Sequence, residues 1–362
     1  MKAIVAMSGG VDSSVAAYLL QKEGHEVIGL SFELWDSRDL KDSNVCCSVE
    51  TIRLAKSVAH TLGIEHHTVD VRDAFYTHVI EDFCASYIEG TTPNPCILCN
   101  KYIKFDFLMK KAEEIGADSI VTGHYARIEK TEGLPSGQAG TENYRFLLKK
   151  GVDPKKDQSY VLYVMTQAEL AKTLFPLGEI KKEETRKIAK ELDLATAMRA
   201  ESQEICFVGD DNYVDFIEKF SPESLRPGPI TDTSGKIIGE HKGIAFYTIG
   251  QRKRLGISSL KPHYVSDIDR KNNMITVGSR EDAMKKTLIV KELNWISIVS
   301  LSKPLQAYVK IRSTMKEAPA VISPLGDEKV KVEFEELQWA PASGQSAVFY
   351  SNDLIIGGGI IE

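Results

Sequence analysis

Apolar positions follow two alternating patterns in the first half of the chain. Short apolar runs predict buried strands, and apolar residues three to four positions apart predict the inward faces of helices. The predicted strands are 3–6, 27–32, 66–71 and 119–122, and the predicted helices are 48–62, 73–88, 101–115, 181–192 and 212–220. This alternation predicts an α/β domain, in which helices cover both faces of a parallel sheet.

The pattern changes near Arg226, where short β-rich runs begin to be separated by Gly, Pro, Asn and Asp. The runs are 237–238, 246–247, 274–277, 307–311, 330–334, 347–350 and 355–356. Such spacing predicts small β domains or a barrel. We place boundaries near residues 208 and 282, which gives a catalytic domain over 1–208, a central β-rich domain over 209–281 and a C-terminal β-barrel over 282–362. Earlier in the chain, the polar segment 130–141 is predicted to be a mobile loop.

Length and composition are those of a globular protein with two or three domains: 362 residues, a net charge of −6 and six cysteines. No apolar run reaches the length of about 18 residues that a membrane-spanning helix needs. With a first strand directly at the N-terminus and too few cysteines for a disulfide framework, we expect a cytoplasmic protein with no membrane partner. Because the net charge is negative, nucleic acid would have to bind local basic patches.

The segment from residue 7 to residue 14 links the first predicted strand to a helix through a tight glycine turn. Such a turn presents backbone N–H groups and a helix N-terminus, which together bind anions. It has neither the lysine of a Walker loop nor the spacing of a dinucleotide loop. Ser-Gly-Gly-x-Asp-Ser instead resembles the pyrophosphate loop of enzymes that cut ATP into AMP and pyrophosphate. The predicted ATP-binding residues of this loop are Met7, Ser8, Gly9, Gly10, Val11, Asp12, Ser13 and Ser14.

Two cysteines form a second motif, Pro95-Cys96-Ile97-Leu98-Cys99, just before the helix predicted to start at Lys101. A cysteine near a helix N-terminus has a lowered pKa, so we expect Cys99 to be partly thiolate at neutral pH. The Cys-x-x-Cys spacing alone is compatible with redox chemistry, half a zinc site or a cluster site. Cys206 is a third candidate thiol. Cys46, Cys47 and Cys84 are better explained as packed apolar side chains.

Several motifs in this order resemble the tRNA-specific 2-thiouridylase family from one end of the chain to the other. They are Ser8–Ser13, Pro93–Pro95, Leu98–Lys101, Thr122–Arg127, Lys156–Tyr160, Glu201–Phe207, Tyr247–Arg252 and Gly344–Val348. The resemblance implies an adenine-nucleotide α-hydrolase-like domain followed by a small β-rich domain and a C-terminal β-barrel. It also implies an enzyme that replaces O2 of the wobble uridine of tRNA with sulfur.

The resemblance implies a two-stage reaction that uses ATP and Mg²⁺. The uracil O2 attacks the α-phosphate of ATP, pyrophosphate leaves, and Mg²⁺ held through Asp12 offsets the phosphate charge. A sulfur carried by Cys206 as a persulfide then displaces AMP. Cys99 releases that sulfur, which leaves a Cys99–Cys206 disulfide for a reductant to open.

Cys96 departs from the family pattern, because many members carry Asp at this position. A thiol is a poorer hydrogen-bond acceptor than a carboxylate, so it would replace that Asp badly. With Cys99 and Cys206, it makes a set of three thiols that suits a 4Fe–4S cluster carrying an extra sulfide. The sequence leaves the persulfide and the cluster open as alternatives.

Further contacts are also implied by the resemblance. Asn94, Pro95 and Cys96 are expected beside the flipped-out base, and backbone near Phe32 and Gly123 beside the adenine of ATP. The other predicted tRNA contacts are His124, Lys156, Asp157, Gln158, Arg312, Ser313 and Gln345. The implied partners are tRNAs for lysine, glutamate and glutamine and a sulfur donor, such as a cysteine desulfurase or a sulfur-relay protein.

Two other functions fit parts of the sequence. Another pyrophosphate-loop enzyme, such as a synthetase that adds ammonia to an adenylated carbonyl, would not need Cys99 and Cys206. A non-catalytic iron–sulfur or RNA-binding module would not need an ATP-splitting loop. Dependence of ATP turnover on tRNA or on a small metabolite distinguishes the enzymes, and absence of AMP formation with tRNA present would favour the module.

Overall fold

The structure is a computed structural model that describes residues 1–34, 49–132, 144–199, 205–208, 213–222, 225–257, 261–326 and 328–362. Cys46 and Cys47 lie outside the described residues. Within them, no helix has both the length and the apolar character required to cross a membrane.

The first part of the chain forms a parallel α/β layer structure, as its apolar pattern predicts. In chain order its elements are β1 (Lys2–Ala6), α1 (Val11–Lys22), β2 (Glu26–Glu33), α2 (Val49–Leu62), β3 (Glu65–Asp70), α3 (Arg72–Phe75), α4 (Glu81–Ile88), α5 (Pro95–Leu98), α6 (Phe105–Ile115), β4 (Ser119–Val121), β5 (Ala126–Glu132), β6 (Tyr144–Lys150), α7 (Gln167–Lys172), β7 (Thr173–Leu174), α8 (Lys182–Glu191) and α9 (Tyr213–Phe220). Five parallel strands pair in the order β3–β2–β1–β4–β7.

Alternate residues of the central strand β1 enter two different cores. Ile4 packs in one core with side chains from α4 and α6, whereas Ala3 and Val5 pack in the other with side chains from α1 and α2. Successive strand side chains point to opposite faces of a sheet, so helices cover both faces. The predicted α/β class is therefore confirmed.

The cysteine-bearing helix begins six residues earlier than the sequence pattern predicted. It starts at Pro95, passes through a π-helical segment at Cys99–Lys104 and continues as α6. Proline suits the first turn of a helix, where its missing N–H costs no hydrogen bond. Our expected start at Lys101 was wrong, because Pro95 occupies the first position of the helix rather than the approach to it.

The central domain is a four-stranded sheet in the order β10–β11–β8–β9. Its strands are β8 (Gly228–Asp232), β9 (Ile237–His241), β10 (Tyr264–Asp269) and β11 (Met274–Gly278). The run 246–247, predicted as β-rich, is wrong: residues Ile244–Phe246 form a 3₁₀ turn. Phe246 and Tyr247 pack into the cores of the molecule instead of pairing in a sheet.

The C-terminal domain is a closed six-stranded barrel, which confirms the predicted β-barrel. Its strands are β12 (Met284–Trp295), β13 (Leu305–Lys310), β14 (Ala318–Leu325), β15 (Lys329–Trp339), β16 (Ser346–Ser351) and β17 (Leu354–Ile361). They pair in the order β12–β15–β14–β13–β16–β17, and β12 also pairs with β17. The β5–β6 hairpin extends this sheet, because Lys149 of β6 pairs with Leu354 of β17. Residues 130–132 therefore belong to a strand, and residues 133–141 of the predicted loop lie outside the described residues.

Candidate active site

One cavity of about 310 Å³ lies at the carboxyl ends of the parallel strands, where ligands of such sheets bind. It is lined by the glycine loop, the start of the cysteine-bearing helix and the 205–208 segment. Its lining includes Met7, Ser8, Asp12, Ser13, Phe32, Pro95, Cys96, Cys99, Lys104, Gly123, His124, Gln158 and Cys206. Residues expected to bind ATP and residues expected to handle sulfur therefore share one space.

The glycine loop is held in shape by close backbone packing. Gly9 has a φ of +70°, and a Cβ there would lie 2.2 Å from the carbonyl oxygen of Thr51. A Cβ on Gly123 would lie 2.7 Å from the backbone nitrogen of Ser13. Side chains at both positions would displace the loop, because such distances are far below van der Waals contact. Arg199, which the sequence did not single out, donates from Nη1 to the Gly9 oxygen at 2.8 Å.

Asp12 is bound by two residues that the sequence analysis missed. Lys182 Nζ lies 2.6 Å from Asp12 Oδ1 and 2.7 Å from Oδ2, and the Lys182 side chain is only 8% exposed. The Tyr125 hydroxyl lies 2.8 Å from Asp12 Oδ1 and 2.9 Å from Thr185 Oγ1. The hydroxyl can donate to the carboxylate and accept from Thr185. These contacts fix the orientation of the carboxylate at the edge of the cavity.

The three thiols at the cavity differ in accessibility. Cys96, in the first turn of the helix, is exposed, Cys206 is half-buried and Cys99 is 6% exposed. All three are thiols rather than halves of a disulfide in this structure. Since the helix starts at Pro95, Cys96 takes the place nearest its N-terminus that the sequence analysis gave to Cys99. Cys84 is buried, as expected, and burial raises its pKa to about 11.

The cluster hypothesis requires three thiolates placed around one metal site. Among the residues that the structure describes, which include Cys96, Cys99 and Cys206, no three His, Cys, Asp or Glu side chains form a group able to hold a metal ion. Each cysteine of a 4Fe–4S cluster binds a different iron, so its thiols stand farther apart than the ligands of a single ion. The cluster stays a prediction, and the sulfur chemistry is derived below without one.

The family models and the full-length relatives indicate one family. The model of the tRNA methyl transferase HUP domain matches residues 1–210, that of the tRNA methyl transferase PRC-barrel domain matches 214–279, and that of the aminomethyltransferase beta-barrel domain matches 285–361. The chain is 48% identical to the tRNA-specific 2-thiouridylase MnmA of Clostridioides difficile, over 100% of this chain and 98% of the relative. It is 50% identical to MnmA 2 of a Thermoanaerobacter species, over 99% of this chain and 97% of the relative. The chain belongs to the tRNA-specific 2-thiouridylase family.

The loop before the cysteine-bearing helix of this 2-thiouridylase family member is held by both β domains. Gln345 Nε2 of the barrel domain donates to the carbonyl oxygens of Thr92 and Pro93, at 2.9 and 3.2 Å. The Thr92 N–H donates to Ser343 O at 2.7 Å, and its hydroxyl lies 3.3 Å from Thr248 Oγ1 of the central domain. The β domains therefore fix the approach to Asn94, Pro95 and Cys96.

We expect Gln345→Ala to lower kcat/KM for tRNA thiolation by about tenfold, because two loop carbonyls lose their hydrogen-bond donor. Steady-state kinetics at varied tRNA concentration measure the effect. Gln338→Ala is the matched control, since the Gln338 amide donates to Glu336 O within its own strand. Equal effects of the two substitutions would contradict the positioning role.

His124 is placed at the cavity as a neutral imidazole. Burial, followed by the charge of Lys104, holds its pKa well below the usual 6.5. Its Nδ1 lies 2.7 Å from Thr122 Oγ1. A neutral ring can still hydrogen-bond a base or a phosphate oxygen through its one N–H, but it brings no positive charge. The contact of His124 with tRNA stays a prediction.

The remaining predicted tRNA contacts occupy different surroundings. Asp157 binds within its own turn, accepting from Gly151 and Ser159. Arg312 is partly buried and donates to Ile249 O and Ala340 O. Ser313 is exposed, Lys156 is half-buried, and Gln158 lines the cavity while its Oε1 accepts from the Tyr125 N–H. Arg312 thus joins the central domain to the barrel, and the tRNA roles of all these residues stay predictions.

Acid should destabilise this protein partly through His124. Because its folded-state pKa is depressed, the unfolded chain binds more protons below pH 6.5, and stability present above that pH is lost as pH falls. His66 also contributes stability that is lost as pH falls, because burial lowers its pKa to about 4. We expect His124→Gln to reduce the slope of unfolding free energy between about pH 6.5 and pH 5 by up to about 1 kcal/mol per pH unit. Urea unfolding measures it; the exposed His60→Gln is the control, and an unchanged slope in His124→Gln would refute the assignment.

Proposed function

We propose that this protein catalyses ATP-dependent 2-thiolation of the wobble uridine of tRNA. The observation that carries the proposal is the shared cavity, which joins the glycine loop to Cys99 and Cys206. The names of full-length relatives at 46–50% identity support the same activity. An ammonia-adding synthetase would have no use for thiols beside its nucleotide loop.

The first stage adenylates the base. The uracil O2 attacks the α-phosphate of ATP, and the backbone N–H groups of residues 8–14 receive the leaving pyrophosphate. Phe32 and Gly123 form the wall beside the adenine, and Asn94 and Pro95 hold the flipped-out base. The Asp12 carboxylate is 33% exposed at the cavity, so it is the group that would hold a Mg²⁺ ion there. When bound, that ion would neutralise phosphate charge.

The second stage delivers sulfur. The terminal sulfur of a persulfide on Cys206 attacks C2 of the adenylated uracil, and AMP leaves with the oxygen. The Cys99 thiolate then attacks Cys206 Sγ, so the new C2–S bond stays on the base and a Cys99–Cys206 disulfide forms. An external dithiol supplies two electrons to restore the thiols. A cysteine desulfurase or a relay protein would reload Cys206.

The substrate is proposed to be tRNA for lysine, glutamate or glutamine. The deciding experiment incubates the full chain with an unmodified transcript of one of these tRNAs, α-labelled ATP, Mg²⁺ and a persulfide donor. We expect AMP and pyrophosphate to appear only with tRNA, and 2-thiouridine to appear in the digested nucleosides. ATP turnover driven by a small metabolite without tRNA would favour the rival synthetase, and no AMP with tRNA present would favour a non-catalytic module.

A further inference from the structure

Cys96 has no part in the sulfur transfer described above, yet it lines the same cavity as Cys99 and Cys206. It is the exposed member of a Cys-x-x-Cys pair whose second member, Cys99, is only 6% exposed. A protein reductant cannot bring its own thiol to a side chain as buried as Cys99. The other sulfur of the disulfide formed in each turnover, that of Cys206, is half-buried, so Cys96 offers an external protein dithiol the most exposed sulfur of the three.

We propose that Cys96 reopens the Cys99–Cys206 disulfide and carries the oxidation to an external dithiol. This inference rests on the proposed function. Cys96 and Cys99 are three residues apart along α5 and the π-helical segment that follows it. Residues three apart on a helix lie on one face with Cβ atoms about 5–6 Å apart. Small adjustments bring such a pair to the Cβ separation of about 3.5–4.5 Å that a disulfide requires.

The exchange balances in two steps. The Cys96 thiolate attacks Cys99 Sγ, the Cys99–Cys206 bond breaks, and Cys206 leaves as a thiolate while a Cys96–Cys99 disulfide forms. An external dithiol then attacks the exposed Cys96 Sγ, releases Cys99 as a thiolate, and closes its own disulfide by displacing Cys96. The protein gains two electrons, and the dithiol loses two.

The direction of attack has a consequence for turnover. Attack on Cys99 Sγ returns Cys206 as a thiolate, which is the form that accepts a new persulfide sulfur. Attack on Cys206 Sγ would instead leave Cys206 in a disulfide with Cys96, in which it cannot accept a persulfide sulfur. The relay therefore allows Cys206 to be reloaded before the external reductant has acted.

The first test maps disulfides after a single turnover of the full chain without added reductant. The protein is loaded with persulfide, mixed with tRNA transcript, ATP and Mg²⁺, quenched with an alkylating agent and digested for mass spectrometry. We expect a Cys96–Cys99 disulfide with Cys206 alkylated. A Cys99–Cys206 disulfide with Cys96 alkylated would overturn the relay. Absence of 2-thiouridine in the same wild-type sample would instead refute the proposed function.

The second test compares steady-state turnover with the first turnover, so that any effect of Cys96 on base binding cancels. With a protein dithiol of the thioredoxin type as reductant, we expect Cys96→Ser to lower this ratio by about tenfold. A small dithiol such as dithiothreitol, which can enter the cavity, should restore it. Cys84→Ala, a core substitution outside the cavity, is the control. A ratio for Cys96→Ser equal to that of the control with the protein dithiol would also overturn the relay.

Discussion

Cys206→Ser is expected to abolish tRNA thiolation while tRNA-dependent pyrophosphate release continues. A serine hydroxyl cannot carry a persulfide, so the second stage has no nucleophile. The glycine loop and the base-holding loop are left unchanged, so adenylation goes on. We expect 2-thiouridine formation to fall by about 10³-fold or more. Nucleoside mass spectrometry and a coupled pyrophosphate assay on the same samples measure the two stages separately.

The matched control for this result is Cys84→Ala. Cys84 packs in a core and does not line the cavity, and burial raises its pKa to about 11, so it is inert as a nucleophile at neutral pH. Cys99→Ser should retain pyrophosphate release but stop with the base attached to Cys206 through a disulfide. Equal loss of thiolation and pyrophosphate release in Cys206→Ser would contradict the assignment of Cys206 to the second stage alone.

Asp12→Asn should have the second-largest effect, a loss of tRNA-dependent pyrophosphate release by about 10²-fold or more. The substitution removes the carboxylate that we propose for Mg²⁺. It also leaves the buried Lys182 ammonium without its counter-charge at 2.6 Å. We expect a stability loss of about 2 kcal/mol, below the value for a fully buried pair because the Asp12 side chain is partly exposed. Urea unfolding and the pyrophosphate assay measure the two consequences.

A double variant separates the loss of stability from the loss of activity. Asp12→Asn with Lys182→Met removes both charges and keeps the volume of the lysine stem, so stability should return while activity stays low. Recovery of activity along with stability would show that Asp12 acts by holding Lys182 rather than through the phosphates. Lys182→Met alone tests the positioning role from the other side, because Asp12 keeps its charge and the Tyr125 hydroxyl near Oδ1. It should raise the apparent affinity for Mg²⁺, because the ammonium that contacts both Asp12 oxygens repels the ion. It should lower the rate at saturating Mg²⁺, because the carboxylate loses a group that orients it.

Local signals predicted the α/β class, the position of the glycine loop and the barrel of this protein. The strand before Met7 and the helix after Gly10 are adjacent in the chain, so apolar spacing and turn chemistry sufficed. The same approach failed at Pro95, where the helix starts six residues before the predicted position. It also failed at residues 246–247, where aromatic side chains fill the cores instead of pairing in a sheet.

The sequence by itself determined most of the elements, the position of the nucleotide loop and the identity of the thiols, because each depends on residues that are close in the chain. Only the tertiary structure decided how they meet. The Lys182–Asp12 ion pair joins residues 170 apart, and the Gln345 amide reaches Thr92 across 253 residues. Such contacts leave no periodic signature, because any surface lysine or glutamine looks the same in the sequence. The folded chain likewise makes Cys99 buried and Cys96 exposed, since burial depends on what other elements pack against a helix.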